Sequence, residues 1–376
     1  MTTFVYDARF AHPKRLDGVG RFVWCTFRAL GAALRADESV VVICHDDDAD
    51  SYRAHLRPSD RLVPTDMPIA SLAQHATWPR LIESLRPNLV FYPQYDMPRV
   101  PDGVTAVASV YDLTPLDEGD YFGRGRSWRA LAAAGLLVST CSRAAVVTTL
   151  SHASAGLLAE RVLSVRSRLR VIKPGPSLLP RSSQACSATP LFVYVGNHRP
   201  HKRIDVLLGA FSRVRKRLPF ASLVLVGRSD PRFPQVGNLV RGPLGAGVSI
   251  IDNADDTAVA GWLAAATALV FASRGEGFGF PVTEAFGQGT PAVVADAGSL
   301  PEVVDGGGLV VAPPDDETAW ADAMTEIAVN VGLRTSCAAR AREVAAGLSW
   351  RSSAEQLVTI WRSALNLTLP QSQERQ

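Results

Sequence analysis

Residues 272–294, ASRGEGFGFPVTEAFGQGTPAVV, decide the fold of this chain, because they link a strand to a helix through a glycine-rich loop. The apolar run just before the loop, residues 268–272, is short and partly β-branched, which is typical of a buried parallel strand. Pro281 stands where the first position of a helix is expected, and Gly287 and Gly289 follow the helical segment and end it. The sequence therefore predicts a strand, a glycine-rich loop and a helix start in succession.

The chemistry of this loop indicates a ligand with an anionic part and a hydroxylated part. Gly277 and Gly279 allow the backbone to approach a ligand closely, and the helix start offers N–H groups and a positive dipole end to a phosphate. Glu276 and Glu284 accept hydrogen bonds from hydroxyl groups, so both are suited to a polyol. A nucleotide sugar combines the two parts. An ordinary strand-to-helix loop with surface glutamates fits the stretch equally well.

The order Glu276, seven residues, Glu284 closely resembles the signature of retaining glycosyltransferases of family 4. The resemblance continues through GSLPEVV at 298–304, covers residues 190–350 closely and covers residues 1–178 more loosely. It implies an α/β protein of the GT-B fold, in which two Rossmann-like domains with parallel sheets face each other across a cleft.

Length and composition agree with a two-domain globular protein. A chain of 376 residues exceeds one typical core, and 47% hydrophobic with 20% charged residues is usual for globular proteins. A formal net charge of only +3, without basic runs interleaved with aromatics, argues against a nucleic-acid partner.

The cysteines and the apolar segments predict a cytoplasmic protein. The five cysteines are widely spaced and lack CxxC spacing, which favours reduced core residues over disulfides or a metal site. The N-terminus lacks the pattern of a signal peptide, and Arg143 interrupts the most apolar stretch, 131–150. We expect no transmembrane helix, although a lipid-linked acceptor would allow peripheral contact at the inner membrane face.

Alternating strand and helix patterns, together with the resemblance, divide the chain at a polar, proline-containing linker. The predicted parts are an N-terminal Rossmann-like acceptor-binding domain at 1–178, a linker at 179–190, a nucleotide-sugar-binding domain at 191–349, a helix at 350–366 that crosses back to the first domain, and a frayed tail at 367–376.

In the first domain, the loop after the first strand ends in Gly18 and Gly20, and a helix follows Arg21. The resemblance implies that these glycines approach the donor diphosphate. Asp112 follows a strand within Tyr111-Asp112-Leu113, a segment that resembles the mannosyl- and rhamnosyltransferase branch of the family. Tyr111 stands where a histidine is commoner there. Asp112 is our catalytic candidate in this domain, and its alternative role is to cap the turn before Pro115.

Two polar turns of this domain have competing interpretations. Asp46, Asp47 and Asp48 contain an Asp-x-Asp that could hold a divalent metal, but an acidic turn capping a helix around Ser51 is the favoured interpretation. We therefore predict no metal site. His152 follows Ser151 at a helix start and is either catalytic or structural.

In the second domain, Lys202 precedes a helix in a basic loop and is suited to neutralising a diphosphate leaving group. The loop resembles the Gly-x-x-x-Pro-Arg-Lys segment of the family, with His201 in the place of the usual arginine. Either Arg199 supplies the missing charge or the diphosphate is held less tightly. The backbone N–H groups at 280–283 are candidate donors to the phosphate.

These patterns give one set of candidate site residues. Glu276, Lys202 and Asp112 are the catalytic candidates. The donor-binding candidates are Gly18, Gly20, Arg199, Lys202, Gly277, Phe278, Gly279, Phe280, Val282 and Glu284. Glu284 is expected to hold the ribose hydroxyls, and Glu276 with the 277–279 backbone to hold the sugar.

The resemblance implies a metal-independent retaining glycosyltransferase that needs no cofactor besides its donor substrate. It transfers a hexosyl group, with mannose suggested by the segment at 111–113 alone, from a nucleotide diphosphate-sugar to a glycan, lipid-linked or small-molecule acceptor. Three alternatives use the same features: a sugar phosphorylase or synthase of this fold, a nucleotide-sugar epimerase, and a non-catalytic nucleotide-sugar-binding protein. The sequence makes no prediction of oligomeric state.

Overall fold

The computed structural model describes residues 1–14, 16–113, 116, 127–228 and 233–368. The chain divides into two compact units. The first comprises Met1–Leu116, Ser127–Gly175 and the segment that begins at Ser349, and the described part of the second is Pro176–Leu348.

The change from the first unit to the second comes after Gly175, before the predicted boundary at 178. Packing explains the difference. Gly175 lies so close to Trp350 that a Cβ atom on the glycine would fall 2.2 Å from the indole Cγ. Ser177, two residues later, already lies beside Gly287 of the second unit.

The helices and strands alternate along the chain. In the first unit they are β1 Thr2–Asp7, α1 Gly18–Ala33, β2 Glu38–Cys44, α2 Ala49–Arg53, β3 Arg61–Pro64, α3 Leu72–Leu85, β4 Leu89–Tyr92, β5 Thr105–Ser109, α4 Ser127–Arg143, β6 Val146–Thr149, α5 His152–Arg161 and β7 Leu169–Val171. In the second unit they are β8 Leu191–Val195, α6 Ile204–Arg217, β9 Ser222–Val226, α7 Gln235–Arg241, β10 Val248–Ile251, α8 Asp256–Ala265, β11 Ala268–Phe271, α9 Phe280–Gly287, β12 Ala292–Ala295, α10 Leu300–Val304, β13 Gly308–Val311, α11 Glu317–Val329 and α12 Val331–Ala346. The last helix, α13 Trp350–Thr368, belongs to the first unit.

Each unit contains one parallel sheet. Among the described residues the first sheet has seven strands in the order β3-β2-β1-β4-β5-β6-β7, and the second has six in the order β10-β9-β8-β11-β12-β13. The central strands are buried on both faces, which explains their near-continuous apolar sequences. Both orders reverse direction once, at β1/β4 and at β8/β11, as in doubly wound Rossmann-like folds. The predicted fold class is confirmed.

Helix α13 completes the core of the first unit. Trp361 is fully buried, and its ring centroid lies 5.1 Å from that of Phe4 and 5.7 Å from that of Phe91. The next residue, Arg362, donates two 2.7 Å hydrogen bonds to the carboxylate of Glu38. The helix runs to Thr368, past the predicted end at 366, and residues 369–376 of the predicted tail lie outside the described part of the chain.

Two local predictions differ from the structure. Helix α1 begins at Gly18, not after Arg21, because the Asp17 carboxylate caps it by accepting a 2.7 Å hydrogen bond from the Gly20 N–H. Strand β3 was not predicted. It is a partly exposed four-residue edge strand, Arg61-Leu-Val-Pro64, so it lacks the apolar pattern of the buried strands.

Candidate active site

The topology of the second sheet brings two predicted catalytic residues to one place. Strands β8 and β11 are hydrogen-bonded neighbours at the point where the strand order reverses. The loop after β8 leads to Lys202, and the loop after β11 leads to Glu276. In open parallel sheets, ligands bind outside the carboxyl ends of the strands at this point.

The side chains of Lys202 and Glu276 form an ion pair through Nζ and Oε1. Their exposed fractions are 13% and 15%, so the pair is largely but not completely removed from water. The Lys202 Nζ also lies 5.3 Å from the centroid of the Phe271 ring. Phe271 is the last residue of β11, and its ring stacks on that of Tyr194 in β8. The ammonium is thus held by a carboxylate and by the face of an aromatic ring.

Backbone contacts hold the two loops in register. The Arg274 N–H donates to the carbonyl oxygen of His201 at 2.9 Å, which joins the residue before Lys202 to the loop of Glu276. Ser273 is fully buried, and its hydroxyl donates to the Gly275 oxygen at 3.1 Å. The position of the ion pair therefore depends on main-chain bonds as well as on its own attraction.

A third segment fastens the backbone of Glu276. Gly298 has a φ of +55°, and a Cβ atom on it would lie 3.2 Å from the Glu276 nitrogen and 3.3 Å from its oxygen. The hydroxyl of Ser299 donates to the same Glu276 oxygen at 3.0 Å. The conformation and the close approach both favour glycine at 298. The family resemblance includes Gly298 and Ser299, but the sequence does not predict that they hold the backbone of Glu276.

His201 does not supply the positive charge of the arginine that the resemblance places there. Burial, assisted by the charges of Lys202 and Arg199, lowers the pKa of His201 to about 3. The imidazole is therefore neutral at pH 7. Arg199 is half-buried and immediately precedes the short 3₁₀ helix Pro200–Lys202, so it remains the second candidate cation of this loop.

The glycine-aromatic run at 277–280 forms the start of helix α9. Gly279 is the N-cap residue and adopts the left-handed conformation, with φ of +94°, and a Cβ atom on it would lie 2.9 Å from a Leu300 methyl carbon. Gly277 is buried, as is the side chain of Phe278, whose ring lies edge-on to Phe280 at 5.5 Å. Gly277, Phe278 and Gly279 are thus buried, whereas Phe280 is half-buried.

The predicted row of phosphate donors at 280–283 is shorter than expected. Pro281 occupies the second helical position, and it has no N–H. The N–H of Val282 already donates to the Gly279 oxygen at 3.0 Å, and the Val282 side chain is fully buried. Pro281 and Val282 therefore have no N–H group available for a phosphate.

Glu284 is largely buried. It is the fifth residue of α9, at the beginning of the second turn, and it is 4% exposed. A largely buried carboxylate at this position can accept hydrogen bonds from a ligand only at its accessible edge.

Three candidate site residues, Gly18, Gly20 and Asp112, lie in the first unit. Gly18 is exposed and opens α1, whereas Gly20 is buried and its N–H is used by the Asp17 cap. Asp112 is half-buried after β5 and lines a small cavity with Tyr95 and Leu116. The turn that Asp112 was alternatively expected to cap includes Pro115, which lies outside the described residues.

The neighbours of Asp112 and His152 have structural roles. Tyr111 is buried and packs edge-on against Phe22 at 5.6 Å, so it belongs to the core. His152 is exposed at the start of α5, and Ser151 caps that helix by accepting a hydrogen bond from the Ser154 N–H, as predicted.

The acidic turn does not cap a helix. Asp48 precedes α2, yet its carboxylate makes no capping hydrogen bond and instead contacts His12 Nδ1 at 2.7 Å. The capping interpretation is therefore wrong for Asp48. Within the described ranges, no group of three or more His, Cys, Asp or Glu side chains is arranged to hold a metal ion.

A search of protein families agrees with the motif. Residues 189–330 match the family model described as "Glycosyl transferases group 1". The resemblance to glycosyltransferases is thereby confirmed for residues 189–330, which lie in the second unit and include Glu276 and Glu284. All of the second-unit candidates lie inside the matched residues.

A curated relative matches about half of the chain. It is named D-inositol 3-phosphate glycosyltransferase, from Nocardioides sp., and is 30% identical over 224 residues, which are 53% of this chain and 49% of that protein. The chain thus spans about half the length of the curated relatives it matches.

Solved structures match nearly the whole chain in fold. A sucrose-phosphate synthase from Thermosynechococcus elongatus has a TM-score of 0.77 at 20% identity, covering 98% of this chain and 100% of that one. HepE of Anabaena, solved in complex with UDP-glucose, has a TM-score of 0.70 at 16% identity, covering 97% of this chain and 100% of that one. These likenesses establish the two-domain GT-B fold.

Proposed function

We propose that this protein is a cytoplasmic, retaining glycosyltransferase that moves a hexosyl group from a nucleoside diphosphate-sugar to an acceptor hydroxyl. The observation that carries the proposal is the Lys202–Glu276 pair at the strand-order reversal of the second sheet, inside the group 1 glycosyl transferase domain. A cation for a leaving diphosphate and a carboxylate for sugar hydroxyls stand side by side.

The chemistry assigns a role to each side chain. Lys202, with Arg199, stabilises the negative charge that develops on the departing diphosphate. Glu276 accepts hydrogen bonds from the sugar, and Glu284 accepts them from the ribose. The bond from the anomeric carbon to the leaving oxygen breaks as the acceptor oxygen bonds to the same face of the sugar. The leaving phosphate takes the acceptor proton, so neither a metal nor another cofactor is required.

The comparisons support the donor class and offer an acceptor class. HepE binds UDP-glucose, which supports a nucleotide sugar as the donor here. The Nocardioides relative is named for an inositol phosphate, which supports a small polyol acceptor beside the glycan and lipid-linked classes. Mannose as the sugar rests on the Tyr111-Asp112-Leu113 segment alone. Gly18 and Gly20 stay candidate donor-binding residues, and Asp112 stays a candidate catalytic residue.

A donor screen followed by a transfer assay tests this function. Nucleotide sugars are screened by thermal shift, because a ligand that binds only the folded state raises Tm. The best donor is then incubated with candidate acceptors, and the product anomer is determined by NMR. A product with the donor's anomeric configuration supports a retaining transferase. An inverted product contradicts that mechanism, and a screen without a responder contradicts the donor class.

The same assay separates the three alternatives. A phosphorylase or synthase of this fold would be revealed by a requirement for free phosphate in place of the nucleotide sugar. An epimerase converts the donor sugar when no acceptor is present. A binding protein raises Tm with a donor but neither transfers nor hydrolyses it. The adjacent Lys202 and Glu276 favour catalysis over simple binding, because a leaving-group cation serves bond cleavage.

We further propose that the first unit touches an anionic membrane surface through α4. Trp128, Leu131 and Val138 of this helix are 64%, 76% and 49% exposed, whereas Leu137 is buried on its other side. Exposed apolar residues on one helix face are typical of a contact surface. No helix in the described ranges is long and apolar enough to cross a membrane.

Charge around α4 favours anionic lipid as the partner. Residues 127–175 contain seven Lys and Arg side chains and one acidic residue, Glu160, although the whole chain carries only +3. The 3₁₀ helix Leu163–Arg168 packs against α4 and exposes 66% of Leu163. A positively charged segment with exposed apolar side chains is suited to an anionic headgroup layer.

Vesicle sedimentation tests this surface. We expect the protein to bind phosphatidylglycerol vesicles more strongly than phosphatidylcholine vesicles, and W128S/L131S to lose most of that binding. L72S is the matched control, because Leu72 is 90% exposed elsewhere in the same unit. Equal binding of W128S/L131S and the wild type, or no preference for the anionic lipid, would contradict the membrane contact.

A further inference from the structure

A third acidic residue lies next to the loops that carry Lys202 and Glu276. Asp315 lies between β13 and α11, in a segment held by a 2.9 Å hydrogen bond from the Trp320 indole N–H to the Pro314 oxygen. Trp320 is fully buried, so the position of this segment is fixed by the core.

The Asp315 carboxylate contacts two arginines from different loops. Arg274 Nη2 donates to Asp315 Oδ2 at 2.6 Å, and its Nε lies 3.4 Å from Oδ1. Arg203 donates to Asp315 Oδ1 through Nη1. Hydrogen bonding from Arg274, with the nearby charge of Arg203, holds the pKa of Asp315 below its usual range, so the carboxylate is charged at pH 7.

Each arginine is adjacent in sequence to one member of the ion pair. Arg203 directly follows Lys202, and Arg274 lies two positions before Glu276. Arg203 has a φ of +50°, in the left-handed region, and its side chain is only 16% exposed while it also contacts Asp205. One carboxylate therefore ties together the two loops on which Lys202 and Glu276 are carried.

We propose that Asp315 is a positioning residue, which sets the separation of Lys202 and Glu276 by holding Arg203 and Arg274 to one point. The inference rests on the proposed function for its effect on catalysis, and on the described contacts for its effect on the loops. Displacements of about 1 Å in a catalytic group cost on the order of 10²-fold in rate. The Arg274–Asp315 ion pair is about half exposed, and exposed ion pairs add little to the free energy of unfolding.

The chain provides a matched control for this residue. Asp322 pairs with Arg217 at 2.6 Å in the same unit, with exposed fractions of 59% and 47%. It is an Asp–Arg contact of similar exposure that touches neither loop. D322N and D322A therefore report the general effect of removing a surface carboxylate from this unit.

Steady-state kinetics give the first readout. We expect D315N and D315A to lower kcat about tenfold with a smaller change in the donor KM, because the bound donor is misaligned rather than released. D315E restores part of kcat, whereas D322N and D322A leave it unchanged. Unchanged kcat in D315A, or an equal loss in D322A, would overturn the proposal.

Hydrogen exchange gives a second readout that does not depend on turnover. The Arg274 amide donates to the His201 oxygen, so its exchange reports the contact between the two loops. We expect faster exchange at Arg274 in D315A than in the wild type and D322A, with unchanged exchange in the buried strands β8 and β11. Equal exchange in all three proteins overturns the positioning role. If exchange changes while the wild type transfers no sugar, the loop linkage stands and the proposed function fails.

Discussion

Lys202 and Glu276 contact each other across the loops that leave two adjacent parallel strands, β8 and β11. In this arrangement the ammonium and the carboxylate satisfy one another. A bound diphosphate would take over the ammonium and release the carboxylate for the sugar hydroxyls. The pair therefore links recognition of the two halves of the proposed donor.

Loss of Lys202 should reduce turnover strongly. We expect K202A to lower kcat/KM for the donor by about 10²–10³-fold, because one electrostatic contact to the developing charge is removed. Initial rates over a range of donor concentrations measure the effect. K216A is the control, since Lys216 is an exposed lysine of α6 in the same unit. Full transfer by K202A and by E276A would contradict the assignment of both residues.

The G298A substitution should reduce activity more than the same substitution at a glycine with positive φ elsewhere in the unit, because Gly298 lies against the backbone of Glu276. G298A brings a Cβ atom to about the 3.2 Å contact with the Glu276 nitrogen, so we expect a loss of activity beyond the destabilisation of about 1–3 kcal/mol from strained φ. G306A is the control: its φ of +78° carries similar strain, but its Cβ would meet only the Arg340 side chain, at 3.4 Å. Equal residual activity in the two variants, at equal stability, would refute the role of Gly298.

His201 should not titrate near neutral pH. Burial first, and then the charges of Lys202 and Arg199, hold its pKa near 3, so the imidazole stays neutral from pH 8 to pH 5. The folded state takes up its proton at lower pH than the unfolded chain, so this residue lowers stability as pH falls below about 6.5. NMR titration of the ring Cε1–H tests the expectation, and the spectrum of H201N identifies the signal. A midpoint near pH 6.5 would contradict it.

The Glu38–Arg362 ion pair should make the stability of the protein depend on pH in the acidic range. The hydrogen bond from Arg362 lowers the pKa of Glu38, so the contribution is fully present above about pH 4.3 and is lost as pH falls through the lowered pKa. We expect E38Q to lose about 2–4 kcal/mol at pH 7, since Glu38 and Arg362 are 5% and 27% exposed. Thermal unfolding from pH 7 to pH 3 should show the two proteins converging in acid. A constant difference in Tm would exclude the mechanism.

The parts of the fold that the sequence predicts are those with strong local signals. Buried strands such as β8 and β11 are continuous apolar runs, and their order in an open sheet brings the following loops together. The neighbourhood of Lys202 and Glu276 could therefore be expected. Their direct contact could not, because residues 74 positions apart in sequence carry no local signal of pairing.

The differences between prediction and structure come from individual hydrogen bonds and ion pairs that local sequence patterns do not predict. Asp17 and Asp48 are both aspartates just before helices, yet only Asp17 caps one, because Asp48 is held by His12. The sequence suggests Val282 as a phosphate donor, but its N–H closes a turn onto Gly279. The contacts of Asp315 have no local sequence signal, because Arg274 and Arg203 lie 41 and 112 positions away.

The membership of α13 in the first unit has a consequence for how the chain is synthesised. The aromatic side chains of Phe4 and Phe91 that Trp361 covers emerge from the ribosome long before residue 361 does. The described part of the second unit is continuous, so it can fold as it emerges. Phe4 and Phe91 therefore lack the cover of Trp361 until α13 has been translated, so the core of the first unit is completed only after the second unit has been translated.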